Sequence, residues 1–308
     1  MAGFAGGRLA AAVVALLFGG PAAAEDAADC GSGNIAASIA ACSRIIEGGS
    51  VPAEELATTY IDRGSAYLVG NEIDRALADF DEAVRLAPER ADAYLIRGKA
   101  YSMSGQADAA IADYDVVIRL DPRNIDAWIS RGSTYGLKGN VEQAIADHER
   151  AIEVDPSSVE ALVSRGSFFT GLNRLAEALV DFNRAVESNP DSEAVYFGRG
   201  LLYFIQQQFD RAIADFDEVL RLNPHNGEAH LRRGLANFYK RDFDRALADF
   251  DASIDINAGY ADAYVLRGVV HNAQGRRDQA IADFRKVLEL DPGREQAKKA
   301  LRQLGVQP

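Results

Sequence analysis

The stretch ATTYIDRGSAYLVGNEIDRALADFDEAVRLAPER, residues 57–90, decides the fold because its pattern returns every 34 residues along the chain. The clearest mark is the pair Arg63-Gly64, which occurs seven times in all without a slip. The other copies are Arg97-Gly98, Arg131-Gly132, Arg165-Gly166, Arg199-Gly200, Arg233-Gly234 and Arg267-Gly268. A strict period of this length indicates stacked supersecondary units, each too small to bury a core alone.

Four further rows of residues keep the same phase as the Arg-Gly pair. They are an alanine row from Ala76 to Ala280, an aspartate row from Asp79 to Asp283, an aromatic row from Phe80 to Phe284 with His148 as its exception, and a proline row from Pro88 to Pro292 broken at Ala258. Glycine and alanine let two helices approach closely, aromatic side chains fill space, and proline ends a helix. Apolar residues between these marks follow the helical period. Each repeat is therefore predicted to be two antiparallel helices and a short turn.

This pattern resembles the tetratricopeptide repeat. The family's spacing stands in repeat one as Tyr60, Gly64, Tyr67, Ala76, Phe80 and Pro88, and in repeat three as Trp128, Gly132, Tyr135, Ala144, His148 and Pro156. The resemblance covers residues 57–294, seven whole repeats. It implies an all-α fold, a right-handed superhelical solenoid of helix–turn–helix repeats.

One departure from the family pattern is systematic, because the leucine expected before the glycine is arginine in all seven repeats. A guanidinium at a partly buried position is costly unless it has a partner. The aspartate row that begins at Asp79 has the same number of members as the arginine row that begins at Arg63. We expect each arginine to meet an aspartate in the same or the adjacent repeat, with the structural role of setting the register between repeats.

Residues 1–24 have the features of a secretory signal peptide. Arg8 is the only charge before an apolar run from Leu9 to Phe18, and Ala22-Ala23-Ala24 provides a small-residue cleavage site. The run is short for a membrane anchor. An uncleaved anchor or a terminal helix is the alternative. The prediction is an exported protein, periplasmic or secreted.

The only two cysteines, Cys30 and Cys42, lie just after this segment. In an exported protein an isolated pair favours a disulfide. Residues 39–46 resemble the second helix of a repeat, with Cys42 in the place of Phe80, so residues 25–56 are predicted to form an N-terminal half-repeat cap. A thioredoxin-like redox pair is disfavoured by the wide spacing, and a metal site lacks further ligands. At the other end, residues 295–308 are predicted to form a C-terminal capping helix.

The net charge and the absence of known motifs limit the functions that the sequence allows. The formal net charge is −13, which disfavours nucleic acid and anionic membrane surfaces as partners. Neither a catalytic motif nor metal-ligand spacing is found, and the four histidines are scattered. The chain is therefore predicted to be no enzyme, with no catalytic residue, metal or cofactor and no stable membrane insertion. A site built from the scattered histidines is the remaining enzymatic alternative.

The resemblance implies that a partner peptide or helix binds in the concave groove, which the first helix of each repeat lines. At the position of Ser65 the residues are polar in the first four repeats and apolar in the last three. The groove is therefore predicted at Phe197, Leu201, Phe204, Ile205, Leu231, Leu235, Phe238 and Tyr239. An acidic rim is predicted at Asp92, Asp126, Glu160, Glu228 and Asp262. The alternative is that Phe204 and Phe238 only pack against neighbouring helices.

These features predict a non-catalytic scaffold or adaptor in the bacterial periplasm. Its partner would be a protein or peptide with an apolar anchor and basic flanks. The alternative is a self-associating structural component of an envelope assembly, since the same apolar residues could dock a second copy. A glycan ligand stays open at this level.

Overall fold

The computed structural model describes residues 20–49 and 51–308, with side chains from residue 25 onward. In these residues the chain forms seventeen helices and no strand. It divides into two compact units, an N-terminal unit that ends at Pro156 and a C-terminal unit that begins at Ser157. The prediction of an all-α repeat solenoid is confirmed.

The N-terminal unit contains two leading helices and the helix pairs of repeats one to three. Its helices are α1 Gly20–Asp29, α2 Ile35–Gly48, α3 Ala53–Val69, α4 Ile73–Leu86, α5 Ala91–Met103, α6 Ala107–Leu120, α7 Ile125–Leu137 and α8 Val141–Val154. The C-terminal unit contains the pairs of repeats four to seven and one further helix. Its helices are α9 Val159–Gly171, α10 Leu175–Ser188, α11 Glu193–Ile205, α12 Phe209–Leu222, α13 Gly227–Tyr239, α14 Phe243–Ile256, α15 Ala261–Ala273, α16 Arg277–Leu290 and α17 Glu295–Gln303.

The two helices of a repeat meet where the glycine of the first faces the aromatic ring of the second. A Cβ added at Gly64 would lie 2.6 Å from Cε1 of Phe80, and one added at Gly234 would lie 2.7 Å from Cε1 of Phe250. Both rings are fully buried. The glycine row therefore exists because this approach leaves no room for a side chain, as the sequence predicts.

The turn between the two helices always uses one residue in the left-handed backbone region. Glycine fills this position in three repeats, at Gly105, Gly139 and Gly275, and other residues fill it in four, at Asn71, Asn173, Gln207 and Arg241. The φ angle of Arg241 is 61°. An L-residue other than Asn or Asp pays a steric cost there, which glycine avoids.

The N-terminal helices are joined by a disulfide. Cys30, directly after α1, forms this bond with Cys42 in the middle of α2, and both side chains are buried. Nη1 of Arg63 donates to the hydroxyl of Ser43 on α2 at 3.0 Å. Relative to Arg63, α2 thus takes the place of a preceding second helix.

The predicted signal segment is described only in part, whereas the C-terminal helix is described in full. Of the predicted signal segment, residues 1–19 lie outside the described residues, while residues 20–24 begin the backbone of α1. At the C-terminus, Ala297 and Leu301 of α17 are buried in the core, and Lys299 and Arg302 are exposed. Within the described ranges, no helix has both the length and the apolar character that crossing a bilayer requires.

Candidate protein-binding surface

Each repeat pairs a half-buried arginine with a buried aspartate, beside the glycine of the Arg-Gly pair. In repeat three, Nε and Nη2 of Arg131 donate to the two carboxylate oxygens of Asp147, at 2.8 and 2.7 Å. The same two-bond pairing recurs at Arg63–Asp79, Arg97–Asp113, Arg165–Asp181, Arg199–Asp215, Arg233–Asp249 and Arg267–Asp283. The predicted pairing is confirmed, and it lies within one repeat every time. Because the carboxylates are buried, each needs its guanidinium partner.

The third nitrogen of the arginine reaches the preceding repeat. Nη1 of Arg131 donates to Asp115 at 2.5 Å. Equivalent bonds join Arg97 to Asp81, Arg199 to Asn183, Arg233 to Asp217 and Arg267 to Asp251. This second acceptor was not predicted, although its row keeps the 34-residue period in the sequence. The hydrogen bond to Asp147, with burial opposing it, raises the pKa of Arg131 above its ordinary value.

Aromatic rings surround most of these arginines. The Cζ atom of Arg63 lies 5.6 Å from the ring centroid of Tyr60 and 5.9 Å from that of Tyr67. Repeats two, three and five hold their arginines between two rings at similar distances. Repeat six has His230 and Asn237 at the two ring positions instead. Arg233 thus lacks the aromatic cover that its equivalents have.

Five aromatic rings form a continuous cluster near the turns of repeats five and six. Phe204 lies 5.5 Å from Phe209 and 5.6 Å from Tyr239, between ring centroids. Phe209 stacks on Tyr239 at 5.3 Å with the planes 3° apart. Phe238 continues the cluster, at 5.7 Å from Tyr239 and 5.9 Å from Phe243. Phe209 and Phe243 belong to second helices, and the first-helix pattern gave no signal for them.

Exposure separates the predicted groove residues into three groups. Ile205 is 50% exposed and Tyr239 56% exposed, whereas Phe197, Leu201, Phe204, Leu235 and Phe238 are half-buried. Leu231 is only 4% exposed and packs in the core beside Phe250. Leu231 therefore does not line an open surface, because its helix turns that side chain toward the second helix. We call Phe204, Ile205, Phe209, Phe238 and Tyr239 the aromatic surface.

The N-terminal unit presents apolar side chains at the same repeat position as Ile205 and Tyr239. Val69 is 72% exposed, Met103 62% and Leu137 81%. Each closes the first helix of its repeat, at 34-residue spacing. Met103 and Leu137 were not predicted as site residues, although the period placed them in the groove row with Val69.

The predicted acidic rim is largely neutralised by cations of the chain itself. Asp92 pairs with Arg90, Asp126 with Lys99, Glu228 with Arg232 and Asp262 with Arg294. Glu160 accepts a hydrogen bond from Ser158 at 3.5 Å. Exposed pairs of this kind contribute about 0–1 kcal/mol, so an incoming basic group could exchange with them.

In repeat six, three polar side chains contact the carboxylate of Asp249. Asp249 accepts hydrogen bonds from Arg233, from Nδ2 of the buried Asn237 at 3.3 Å, and pairs with Nδ1 of His230 at 3.3 Å. The polar side chain at position 237 is therefore satisfied. In the described part of the chain, no group of three or more His, Cys, Asp or Glu side chains is placed to hold a metal ion.

The burial of His271 affects its protonation. Burial lowers its pKa from the ordinary value of 6.5, and Arg267 and Arg276 act in the same direction. Asp283 and Asp251 oppose that shift. The side chain is therefore neutral near pH 7.

Sequence profiles of the tetratricopeptide repeat match residues 61–125, 125–158, 159–192, 197–261 and 261–294. The chain belongs to the tetratricopeptide repeat family. These matches include every Arg-Gly pair of the chain. No curated protein matches the chain significantly.

Solved tetratricopeptide repeat proteins share the fold. A protein from Parabacteroides merdae is 23% identical with a TM-score of 0.59, covering 81% of this chain and 98% of its own. PilW, a type IV pilus biogenesis factor, is 21% identical with a TM-score of 0.62, covering 68% and 98%. YrrB, a repeat protein with an unusual peptide-binding site, is 21% identical with a TM-score of 0.50, covering 61% and 97%. At these identities the likeness concerns the fold.

Proposed function

We propose that this tetratricopeptide repeat protein is a non-catalytic scaffold that binds a segment of a partner protein on the aromatic surface. The observation that carries the proposal is the exposure of Ile205 and Tyr239 at the edge of a stacked aromatic cluster. Exposed apolar groups gathered in one place mark interaction sites more often than isolated ones do. Tyrosine and other rigid aromatic residues also dominate the binding energy of interfaces.

The half-buried rings of the surface prepare it for binding. Phe204 and Phe209 both pack against the ring of Tyr239, which restricts its motion before a partner arrives. A side chain that is already immobile loses little entropy on binding. Phe204 and Phe238 pack against neighbouring rings, and in this proposal that packing supports the exposed side chains that a partner contacts.

The chemistry of the partner follows from the surroundings. The aromatic surface fits an apolar anchor, and the net charge of −13 favours basic flanks that approach by electrostatic steering. Since four of the five rim carboxylates have cation partners, the charges contribute more to the rate of encounter than to affinity. Affinity then rests mainly on the apolar anchor.

An exported location is part of the same proposal. It is supported by the signal-like pattern of residues 1–24 and by the disulfide between Cys30 and Cys42. Disulfides persist in oxidising compartments and are rare in the cytosol. N-terminal sequencing of the protein recovered from the periplasm is expected to begin at Glu25. A cytosolic chain that keeps its first residues would contradict export.

The experiment compares three versions of the chain as bait in an envelope extract. Wild type is compared with Ile205→Asp/Tyr239→Asp, and the matched control is Val69→Asp/Leu137→Asp. All four positions are exposed and close the first helix of a repeat, so both double variants should fold. The expected partner is held by wild type and by the control and lost by the Ile205/Tyr239 variant.

Two results would contradict this proposed binding site or favour self-association instead. A partner retained equally by all three baits would remove the aromatic surface from the binding site. Recovery of further copies of the chain alone would favour the self-associating component. Sedimentation velocity of purified protein separates that case, because self-association raises the mass with concentration and the Ile205/Tyr239 variant would abolish the rise.

A further inference from the structure

Repeat six contains a pocket at the place where other repeats hold an aromatic ring. In repeat one, Tyr67 lies between two guanidinium groups, with ring-centroid distances of 5.9 Å to Arg63 and 4.0 Å to Arg75. Nη2 of Arg75 also donates to the tyrosine hydroxyl at 2.6 Å. The positions equivalent to these three residues in repeat six are Arg233, Asn237 and Arg245.

The same arrangement of one ring and two arginines occurs elsewhere in the chain. In repeat five, Tyr203 lies 5.9 Å from Arg199 and 5.6 Å from Arg211. Repeat four places Phe169 near two arginines as well, 5.6 Å from Arg165 and 4.4 Å from Arg174, which stands three positions before the equivalent of Arg211. The framework of this chain therefore accepts a ring between two guanidinium groups at this repeat position, through cation–π contacts.

In repeat six both arginines are kept and the ring is replaced by a smaller amide. A cavity of about 290 Å³ is lined by Arg233, Asn237, Arg245, Ile213 and Asp217, with Asp249 and Ala248 completing the wall. In the described part of the chain no ring lies over Arg245, which pairs only loosely with Asp242 at 3.4 Å. Arg245 is 74% exposed in its side chain, so the cavity opens to solvent.

The charges of the cavity favour a neutral ring over an anion. Arg233 and Arg245 bring two positive charges, and Asp217 and Asp249 bring two negative ones. Arg233 already donates to both carboxylates, so an incoming anion would have to compete with them. A flat π-system needs no such exchange, because it contacts the face of the guanidinium and leaves its hydrogen bonds intact.

We propose that the repeat-six pocket binds a tyrosine side chain of a partner polypeptide between Arg233 and Arg245, where it takes the place of the ring that other repeats carry themselves. Tyrosine fits best because Arg245 is equivalent to Arg75, which donates to the hydroxyl of Tyr67. The pocket shares no residue with the aromatic surface. It is a second site, and it stands whether or not the aromatic surface binds a partner.

Repeat seven also lacks the ring, although its second arginine, Arg276, stands three positions before the equivalent of Arg245. His271 stands at the ring position, and a cavity of about 410 Å³ lies beside it, lined also by Arg267 and Arg276. Nδ1 of His271 is buried there without a hydrogen-bond partner among the described atoms. A pocket thus lies beside the ring position in each of the two repeats that carry a smaller polar side chain there.

The test uses p-cresol, the side chain of tyrosine, as the probe of the full chain. Heteronuclear NMR follows the Nε–Hε signals of Arg233 and Arg245 during titration. A ligand this small is expected to bind in the millimolar range, with saturable shifts of both signals. Asn237→Tyr fills the pocket from within and is expected to abolish these shifts while circular dichroism stays helical. Arg245→Ala, at an exposed position, is expected to weaken binding about three- to five-fold.

Matched controls make each outcome decisive. Tyr203→Asn removes the ring between Arg199 and Arg211, so it is expected to create a second p-cresol site in repeat five. Absence of saturable shifts in wild type, or equal shifts of the Arg233 signal in wild type, Asn237→Tyr and Arg245→Ala, would overturn the proposal. Sodium acetate that saturates the same signals when p-cresol does not would also overturn it, and would make the pocket an anion site.

Discussion

Substitution of Arg131 by leucine tests the arginine–aspartate pairing most directly. The change restores the residue that the repeat family carries before its glycine. It removes both hydrogen bonds to Asp147 and the bond to Asp115 in the preceding repeat. The carboxylate of Asp147 is only 5% exposed, so water cannot replace the lost donors without a local opening.

The expected cost follows from that burial. Removing one partner of a buried ion pair costs about 3–5 kcal/mol, because the remaining charge is uncompensated. Replacing both partners by apolar residues is often nearly neutral. We therefore expect Arg131→Leu to destabilise repeats two and three by about 3–5 kcal/mol, and Arg131→Leu/Asp147→Leu by much less.

The assay is hydrogen exchange across α6, α7 and α8, read by mass spectrometry, since repeat proteins open locally rather than in one step. The single variant should exchange faster in these helices, and the double variant should recover protection. A single variant as protected as wild type, or a double variant no better than the single, would refute the pairing as a source of stability.

Further predictions concern a turn, a histidine and the disulfide. Arg241→Gly should raise stability by about 0.5–1 kcal/mol in urea unfolding because it relieves a left-handed φ, whereas Asn71→Gly should change little; equal effects would argue against strain. The lowered pKa of His271 stabilises the fold above pH 6.5 and that stability is lost as pH falls through the folded-state pKa, so the melting temperature should drop in acid. His271→Asn should remove this component, and an unchanged pH profile would contradict it. Cys30→Ser/Cys42→Ser should destabilise α1 and α2 by about 3 kcal/mol in the chain-entropy model, measured by exchange in those helices; unaltered protection would count against that role.

The periodic part of the fold was predictable because each row has a local physical cause. Glycine, alanine and the aromatic row report close helix contact, and the equal numbers of arginine and aspartate point to their pairing. The break in the proline row at Ala258 leaves the helix end unchanged, since Asn257 after α14 has nearly the same φ and ψ angles as Asn223 after α12. Proline there reinforces a helix end that the packing already sets.

The site was harder to predict because a small difference in direction around the helix axis, less than the angle between consecutive residues, decides whether a side chain is exposed. Leu231 and Leu235 are both apolar first-helix residues, yet Leu231 is buried and Leu235 is not. Phe209 was missed because its ring reaches the surface from a second helix. In the sequence, the pocket at Asn237 appears only as a departure from the repeat pattern. The pattern shows that the usual aromatic residue is missing, but it does not show whether the neighbouring residues leave the space open.

The bond from each arginine to the preceding repeat bears on how such a chain can change its length. Arg131 donates to Asp115 and Arg97 donates to Asp81, and in both cases the acceptor lies sixteen positions before the donor. Excision of residues 91–124 would bring Asp81 to the same distance before Arg131. The new junction between repeats would then have an arginine donor and an aspartate acceptor, as the old junction had. Gene duplication or loss in steps of 34 residues preserves every junction of this kind, whereas any other step breaks one.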